Sequence, residues 1–349
     1  MAQPERVVVL SNNVAAIADA KIRQIRKVTE ETQVLAINAS IEAAHAGAAG
    51  RGFSVVAQAV QAVSRRIDDI ASDLSTELKT AVVELSELGA EIVHQVRGEH
   101  LSDLAHHMIE IVDRNLYERS CDVRWWATDA AVVAALEKPS ADTAGYAARR
   151  LGVILGSYTV YLDLWIADRS GRVVASGRPE RYRSAVGTDI SNERWFRDAI
   201  ATRSGSEYAA CDISHCQALD NAEVAIYSTA VRAGGDADAA VIGVLGIFFD
   251  WHPQAMSVIN GVRLDPDERS RSRCLLVDAK HLIIAASNEV GVLTEILPLQ
   301  TGGKKLGYYY DDRSGNQIGF ALTPGYETYD GMGWYGVIVQ RPPADGDQN

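Results

Sequence analysis

The stretch from Leu35 to Val63, LAINASIEAAHAGAAGRGFSVVAQAVQAV, limits what this chain can become more than any other part of it. An Ala-rich run precedes the glycines Gly47, Gly50 and Gly52, and a second apolar-periodic run follows them. In that second run Phe53, Val56, Val60, Val63, Ile67, Ile70 and Leu74 alternate steps of three and four residues, the spacing of a coiled-coil seam. The run ahead of the turn keeps the same rhythm through Val14, Ala18, Ile22, Ile25, Val28, Thr32, Leu35 and Ala39. Two amphipathic helices meeting at a short glycine turn fold back as an antiparallel hairpin. Ala36, Ala39, Ala43 and their alanine neighbours let the legs approach near the bend. Two legs alone cannot cover both apolar faces, so a dimeric four-helix bundle is expected.

The turn and its flanks resemble a known family. Leu35-Ala-Ile-Asn38-Ala-Ser-Ile-Glu42-Ala-Ala44, Ala46-Gly47 and Gly50-Arg51-Gly52-Phe53-Ser-Val-Val56-Ala57 are similar to the signalling tip of methyl-accepting chemotaxis proteins. The resemblance implies a homodimer that contacts a chemotaxis histidine kinase and a coupling protein. It carries tip roles onto Asn38, Glu42, His45, Gly47, Gly50, Arg51, Gly52, Phe53 and Val56. His45 stands where the family usually has arginine, Ala48 where it has glutamate, Gln58-Ala59 where it has an acidic pair, and Glu30 where phenylalanine is frequent. Those departures leave two outcomes, a partner adapted to this tip or no kinase partner at all, and the retained Asn38, Glu42, Arg51 and Phe53 point to the first.

Beyond the bend the rhythm continues through Leu78, Ala81, Leu85, Leu88 and Ile92, then through Leu101, Leu104, Met108 and Ile111. The periodicity predicts a long helix over 99–138 that ends near Pro139. From Tyr158 the pattern changes to short β-rich runs and glycine turns. Strands are expected at Tyr158–Ala167, Arg172–Ser176, Ser206–Ile213, Val224–Val231 and Val241–Phe249, with a short helix at Asn192–Ala201. A second, shorter set follows at Arg273–Asp278, Leu282–Ser287, Lys305–Tyr310, Gln317–Leu322 and Trp334–Val339.

This half also resembles a family. The strand, the Asp168-x-x-Gly171 turn, Gly187-x-Asp189, Trp195-Phe196-x-x-Ala199 and Gly243-Val-Leu-Gly-Ile-x-x-Asp250-Trp251 look like a Cache sensor domain. Leu-Leu-Val-Asp278 and Gly325-Tyr-Glu-Thr-Tyr-Asp-Gly-Met-Gly-Trp334 look like the lower lobe of its double form. The expected fold is a helical hairpin over 1–98, continued by the long helix into two PAS-like lobes with antiparallel sheets. Those lobes cover 150–255 and 270–341 of a sensor domain at 99–341, and 342–349 is a polar tail.

The Cache resemblance implies a small-molecule ligand in the upper lobe, with no cofactor. The residues it points to are Arg194, Trp195, Phe196, Tyr208, Asp212, Tyr227 and Asp250. Aromatics supply flat walls, and an Arg and one or two Asp orient a charged solute. Cache domains that bind amino acids carry arginine two residues before the tryptophan, where this chain has Glu193. From the residues alone, Trp195 and Phe196 also fit a plain core, and Asp250 fits a cap for a helix starting at Trp251.

Composition excludes several other classes. The net charge of −12 argues against nucleic acid or an anionic membrane surface as partner. No run approaches about 18 apolar residues, the length a spanning helix needs, and the apolar run Val7–Leu10 is too short for a signal peptide. A cytoplasmic location is the expectation. Cys121, Cys211, Cys216 and Cys274 have no metal spacing and read as reduced thiols. No phosphate-binding loop, nucleophile elbow or HExxH is present, so an enzyme is not expected.

Overall fold

The computed structural model describes residues 5–343, with side chains from residue 9, so the tail from residue 344 lies outside it. The chain divides into two compact units, Met1–Arg97 and Gly98–Asn349.

In the first unit, α1 (Glu5–His45) and the opening part of α2 (Arg51–Trp126) are the legs, joined by a 3-10 turn at Gly47–Gly50. Gly47 ends α1 in the left-handed region, at φ 56°. Gly50 lies against the first leg so closely that a Cβ there would come within 2.1 Å of the Ala43 carbonyl oxygen. Between the legs the buried positions are small apart from Ile22. Thr29, Ala36 and Ala43 recur every seventh residue on one side, and Ala57, Ser64 and Ala71 on the other. Gln61 Nε2 donates across the legs to Ser40 Oγ at 3.3 Å. The apolar stripe of Phe53, Val56, Val63, Ile67, Ile70 and Leu74 is therefore not the contact between the legs; it lies exposed on the hairpin's outer face. A groove of about 410 Å³ runs beside it, lined by Val28, Thr32, Val56, Val60, Val63 and Ile67.

In the second unit the helix expected over 99–138 is two helices. α2 stops at Trp126, and α3 (Ala130–Glu137) starts afresh with the Asp129 carboxylate accepting from the Ala131 N–H at 2.8 Å. The helix α4 (Ala141–Ser157) opens with a Ser140/Thr143 capping box.

Two five-stranded antiparallel sheets follow. The upper lobe holds β1 (Tyr161–Asp168), β2 (Val173–Ser176), α5 (Arg194–Ile200), β3 (Ala209–Cys216), β4 (Ala222–Arg232) and β5 (Val241–Asp250). The helices α6 (Trp251–Asn260) and α7 (Pro266–Arg271) lead to the lower lobe. That lobe is β6 (Ser272–Val277), β7 (Ile283–Ala286), β8 (Leu306–Asp311), β9 (Asn316–Leu322) and β10 (Tyr335–Gln340). The upper order is β2-β1-β5-β4-β3 and the lower order β7-β6-β10-β9-β8, the same arrangement twice. The first turn of each is built alike: Asp168 accepts from the Ser170 and Arg172 N–H groups, and Asp278 from those of Lys280 and Leu282. β3 begins three residues later than the expected strand, because Ser204, Ser206 and Glu207 form a turn in which Glu207 accepts from the Arg203 N–H at 2.7 Å.

Both faces of the upper sheet are covered. Leu245, Ile247 and Phe249 of β5 join the core shared with α2 and α4, while Val244 and Phe248 join a separate core with α5. The alternation repeats on β4, with Ala225 and Tyr227 in the first core and Val224 and Ile226 in the second.

Candidate functional site: the hairpin tip and the upper sensor lobe

At the tip, Asn38, Glu42, His45, Gly47, Arg51, Gly52, Phe53 and Val56 are all exposed, and only Gly50 is buried. Phe53 leaves 74% of its surface open, beside the small residues that bring the legs together.

The structure does not gather the seven solute-site candidates in one pocket. Trp195 and Phe196 hang from α5 onto one face of the sheet and are buried. The Trp195 ring meets Phe248 edge-on at 5.6 Å, and Phe248 packs at 4.3 Å from Trp165. A Cβ on Gly246 would fall 2.7 Å from the Trp195 ring, so the ring lies flush on the strand. Ser228 Oγ donates to the Trp195 carbonyl at 2.9 Å and fixes the helix to β4. Arg194 points away into an exposed ion pair with Asp198 at 3.2 Å.

Tyr208 and Tyr227 lie on the opposite face, stacked with centroids 6.0 Å apart. The Tyr227 and Tyr329 hydroxyls share a hydrogen bond of 2.9 Å, and Asp212 accepts from Trp334 Nε1 at 3.0 Å. Tyr227 and Asp212 therefore join the upper lobe to the lower one. Burial pushes the Tyr227 phenol well above its ordinary range, and the neighbouring Tyr329 adds to the rise. Asp250 occupies the N-cap position of α6, yet its side chain makes no capping bond. Burial raises its carboxyl, against the opposing charges of His252, Arg181 and Arg178.

Sequence reading passed over Asp163. It is fully buried in β1 and accepts from the Leu164 N–H (2.8 Å), Trp165 Nε1 (2.8 Å), Ser176 Oγ (2.6 Å) and the Arg178 N–H (3.0 Å). The Arg178 guanidinium ties the carbonyls of Leu155, Tyr161 and Leu162 together. A carboxylate in the middle of an apolar strand was the available signal, because a charge there must be hydrogen-bonded.

Residues 3–116 match the family model of the methyl-accepting chemotaxis protein signalling domain, so this part of the chain is a chemoreceptor-type signalling segment. Over 101 residues the chain is 38% identical to methyl-accepting chemotaxis protein TlpQ of Pseudomonas aeruginosa, covering 29% of this chain and 13% of that protein. The match thus spans only a small part of that relative's length. The second unit shares its fold with a solved extracellular domain. Against the extracellular domain of rpHK1S-Z16 the TM-score is 0.51 at 12% identity, over 69% of this chain and 93% of that one. The ligand-binding domain of the Pseudomonas aeruginosa chemoreceptor PctC, solved with GABA, aligns at 16% identity with a TM-score of 0.49, over 69% of this chain and 97% of that one. The chain therefore joins a segment that matches the chemoreceptor signalling model to a double-lobed unit with the fold of a solved extracellular domain, the lobes following the hairpin.

Proposed function

We propose that the chain is a chemoreceptor-type transducer that works as a homodimer. Its hairpins pair into a four-helix bundle, its tip engages a chemotaxis histidine kinase and coupling protein, and its sensor unit biases that engagement. The observation that carries this reading is the large apolar stripe from Phe53 to Leu74, left exposed because the legs meet through small residues. Burying such a stripe favours association by about 25 cal/mol per Å². The sensor's state reaches the hairpin along α2, which contributes residues to both units. Coupling requires that an input bind two hairpin states with different affinity. A cytoplasmic location belongs to the proposal. It is supported by four free cysteines, and no helix among the described residues is long and apolar enough to cross a membrane.

A small solute in the upper lobe is the input we favour, bound under α5. The close packing of Trp195, Phe248 and Trp165 supports a second reading, a constitutive dimeric scaffold whose upper lobe is filled by its own side chains. A thermal-shift screen of amino acids, amines, purines and organic acids separates the two. A solute at 100 times its dissociation constant adds about 2.7 kcal/mol, and a screen without any shift selects the scaffold. Kinase engagement is tested by a pull-down with chemotaxis kinases and coupling proteins, comparing wild type with Glu42→Ala. Retention by wild type and loss in the variant support the tip assignment; no retention by either removes kinase control.

A further inference from the structure

The connection between β9 and β10 is built as an arm. Its ends are closed by the Thr323 N–H donating to the Trp334 carbonyl at 2.8 Å, and its centre by paired bonds between Tyr326 and Tyr329 at 2.8 and 2.9 Å. Glu327 is held at φ 52° without being glycine, a conformation that persists only where surroundings enforce it. The surroundings come from three directions. From α2, Asp113 accepts from Thr323 Oγ1 and from the Gly325 N–H at 2.8 Å, and Tyr117 meets Tyr326 edge-on at 5.4 Å. From the upper sheet, Tyr227 binds the Tyr329 hydroxyl and Asp212 receives the Trp334 indole N–H. From the lower lobe come the strands that carry the arm. The helix α2 is also fixed to the upper sheet directly, where the Tyr161 hydroxyl donates to Asp122 at 2.5 Å.

We propose that the arm over residues 323–334 is a latch joining the two lobes and α2, so that the lobes cannot shift against each other without changing its grip on the helix. Asp113 and Asp122 are nine residues apart on α2 and hold different lobes, so a change in lobe spacing loads the helix between them. Asp113, Tyr227 and Tyr329 are each buried, so releasing the latch strips buried groups of the hydrogen bonds they make across it. The latch is independent of whether any solute binds, and it is tested on the full chain without one.

The measurement is native-state amide exchange by mass spectrometry on wild type, Tyr329→Phe and Asp113→Asn, with Ile318→Val in the far core of the lower sheet as a control for general destabilisation. The expected result for Tyr329→Phe is a rise of about tenfold in exchange across three places, the arm, β3–β4 and α2 around Asp113, while β6 and β7 keep wild-type protection. Asp113→Asn should give the same pattern. A rise confined to the arm, or one spread evenly as in Ile318→Val, overturns the latch. If Tyr329→Phe fails to fold, Trp334→Phe removes the second upper-lobe bond and is read against the same outcomes.

Discussion

Replacing Trp195 by alanine, alone and together with Gly246→Ala, measures how tightly the ring packs on the sheet beneath α5. The indole is 4% exposed and touches both Phe196 and Phe248. Removing a core tryptophan costs about 3–5 kcal/mol. In a unit of this size each kcal/mol moves the melting temperature by about 2–4 °C, so a fall of about 10 °C is expected. Gly246→Ala drives a methyl to within 2.7 Å of the same ring, an overpacking worth about 1–3 kcal/mol. With the ring gone the clash is gone, and the added methyl begins to fill the void. The two substitutions should therefore be non-additive, with the double variant about 1–3 kcal/mol more stable than the sum predicts. Urea melts of the four proteins, followed by near-ultraviolet circular dichroism, give the cycle. A loss below about 1 kcal/mol for Trp195→Ala, with additivity within about 0.5 kcal/mol, would refute the packed-core argument.

Val56→Asp with Val60→Asp places charge in the exposed stripe and the groove beside it and should turn a dimer into a monomer by light scattering; a wild type that is already monomeric rejects the bundle. Ala57→Leu, between the legs, should cost the hairpin about 1–3 kcal/mol in helical circular dichroism melts, whereas Val55→Leu on the exposed face should be near neutral. Burial raises the Asp163 carboxyl, against hydrogen bonds from Ser176 and Trp165, so the folded protein holds that proton more tightly than the unfolded chain. Its contribution is complete below the unfolded value near 3.8 and is lost as pH rises through the raised folded value. Urea melts at stepped pH should show wild type losing stability relative to Asp163→Asn across that window; a constant difference contradicts the assignment.

The hairpin was legible because a glycine turn between two periodic runs admits few other folds. Which stripe faces the partner leg was not. Phe53–Leu74 and the set Ala57, Ser64 and Ala71 repeat with the same seven-residue period, and period alone does not say which is inside. Size decides it at most positions: small residues such as Ala36, Ala43, Ala57 and Ala71 let two helices approach closely, and the bulky stripe is left exposed. The break at residues 127–129 was hidden for a related reason. Apolar residues continue through Val132 and Val133, and the cap signal of Asp129 before Ala130 is one residue set against a long periodic run.

The sensor's strands were found nearly in place, because turn residues bracket them, but the candidate site was assembled across a sheet. In a sheet covered on both faces neither face is polar, so the hydrophobic pattern carries no mark of which side a residue takes. The register shift between Cys211 and Ser214 further breaks strict alternation along β3. Trp195 and Tyr227 were thus read as walls of one pocket when the β-sheet stands between them. That separation bears on signalling. A solute seated under α5 would press on Phe248, while the latch residue Tyr227 lies on the far face, and Phe248 pairs in register with Ile226 beside it. Any influence of one side on the other must therefore pass through β4 and β5 themselves. Binding under α5 should then change exchange in the arm only when the strands shift, and a solute that leaves the arm unchanged is bound without being sensed.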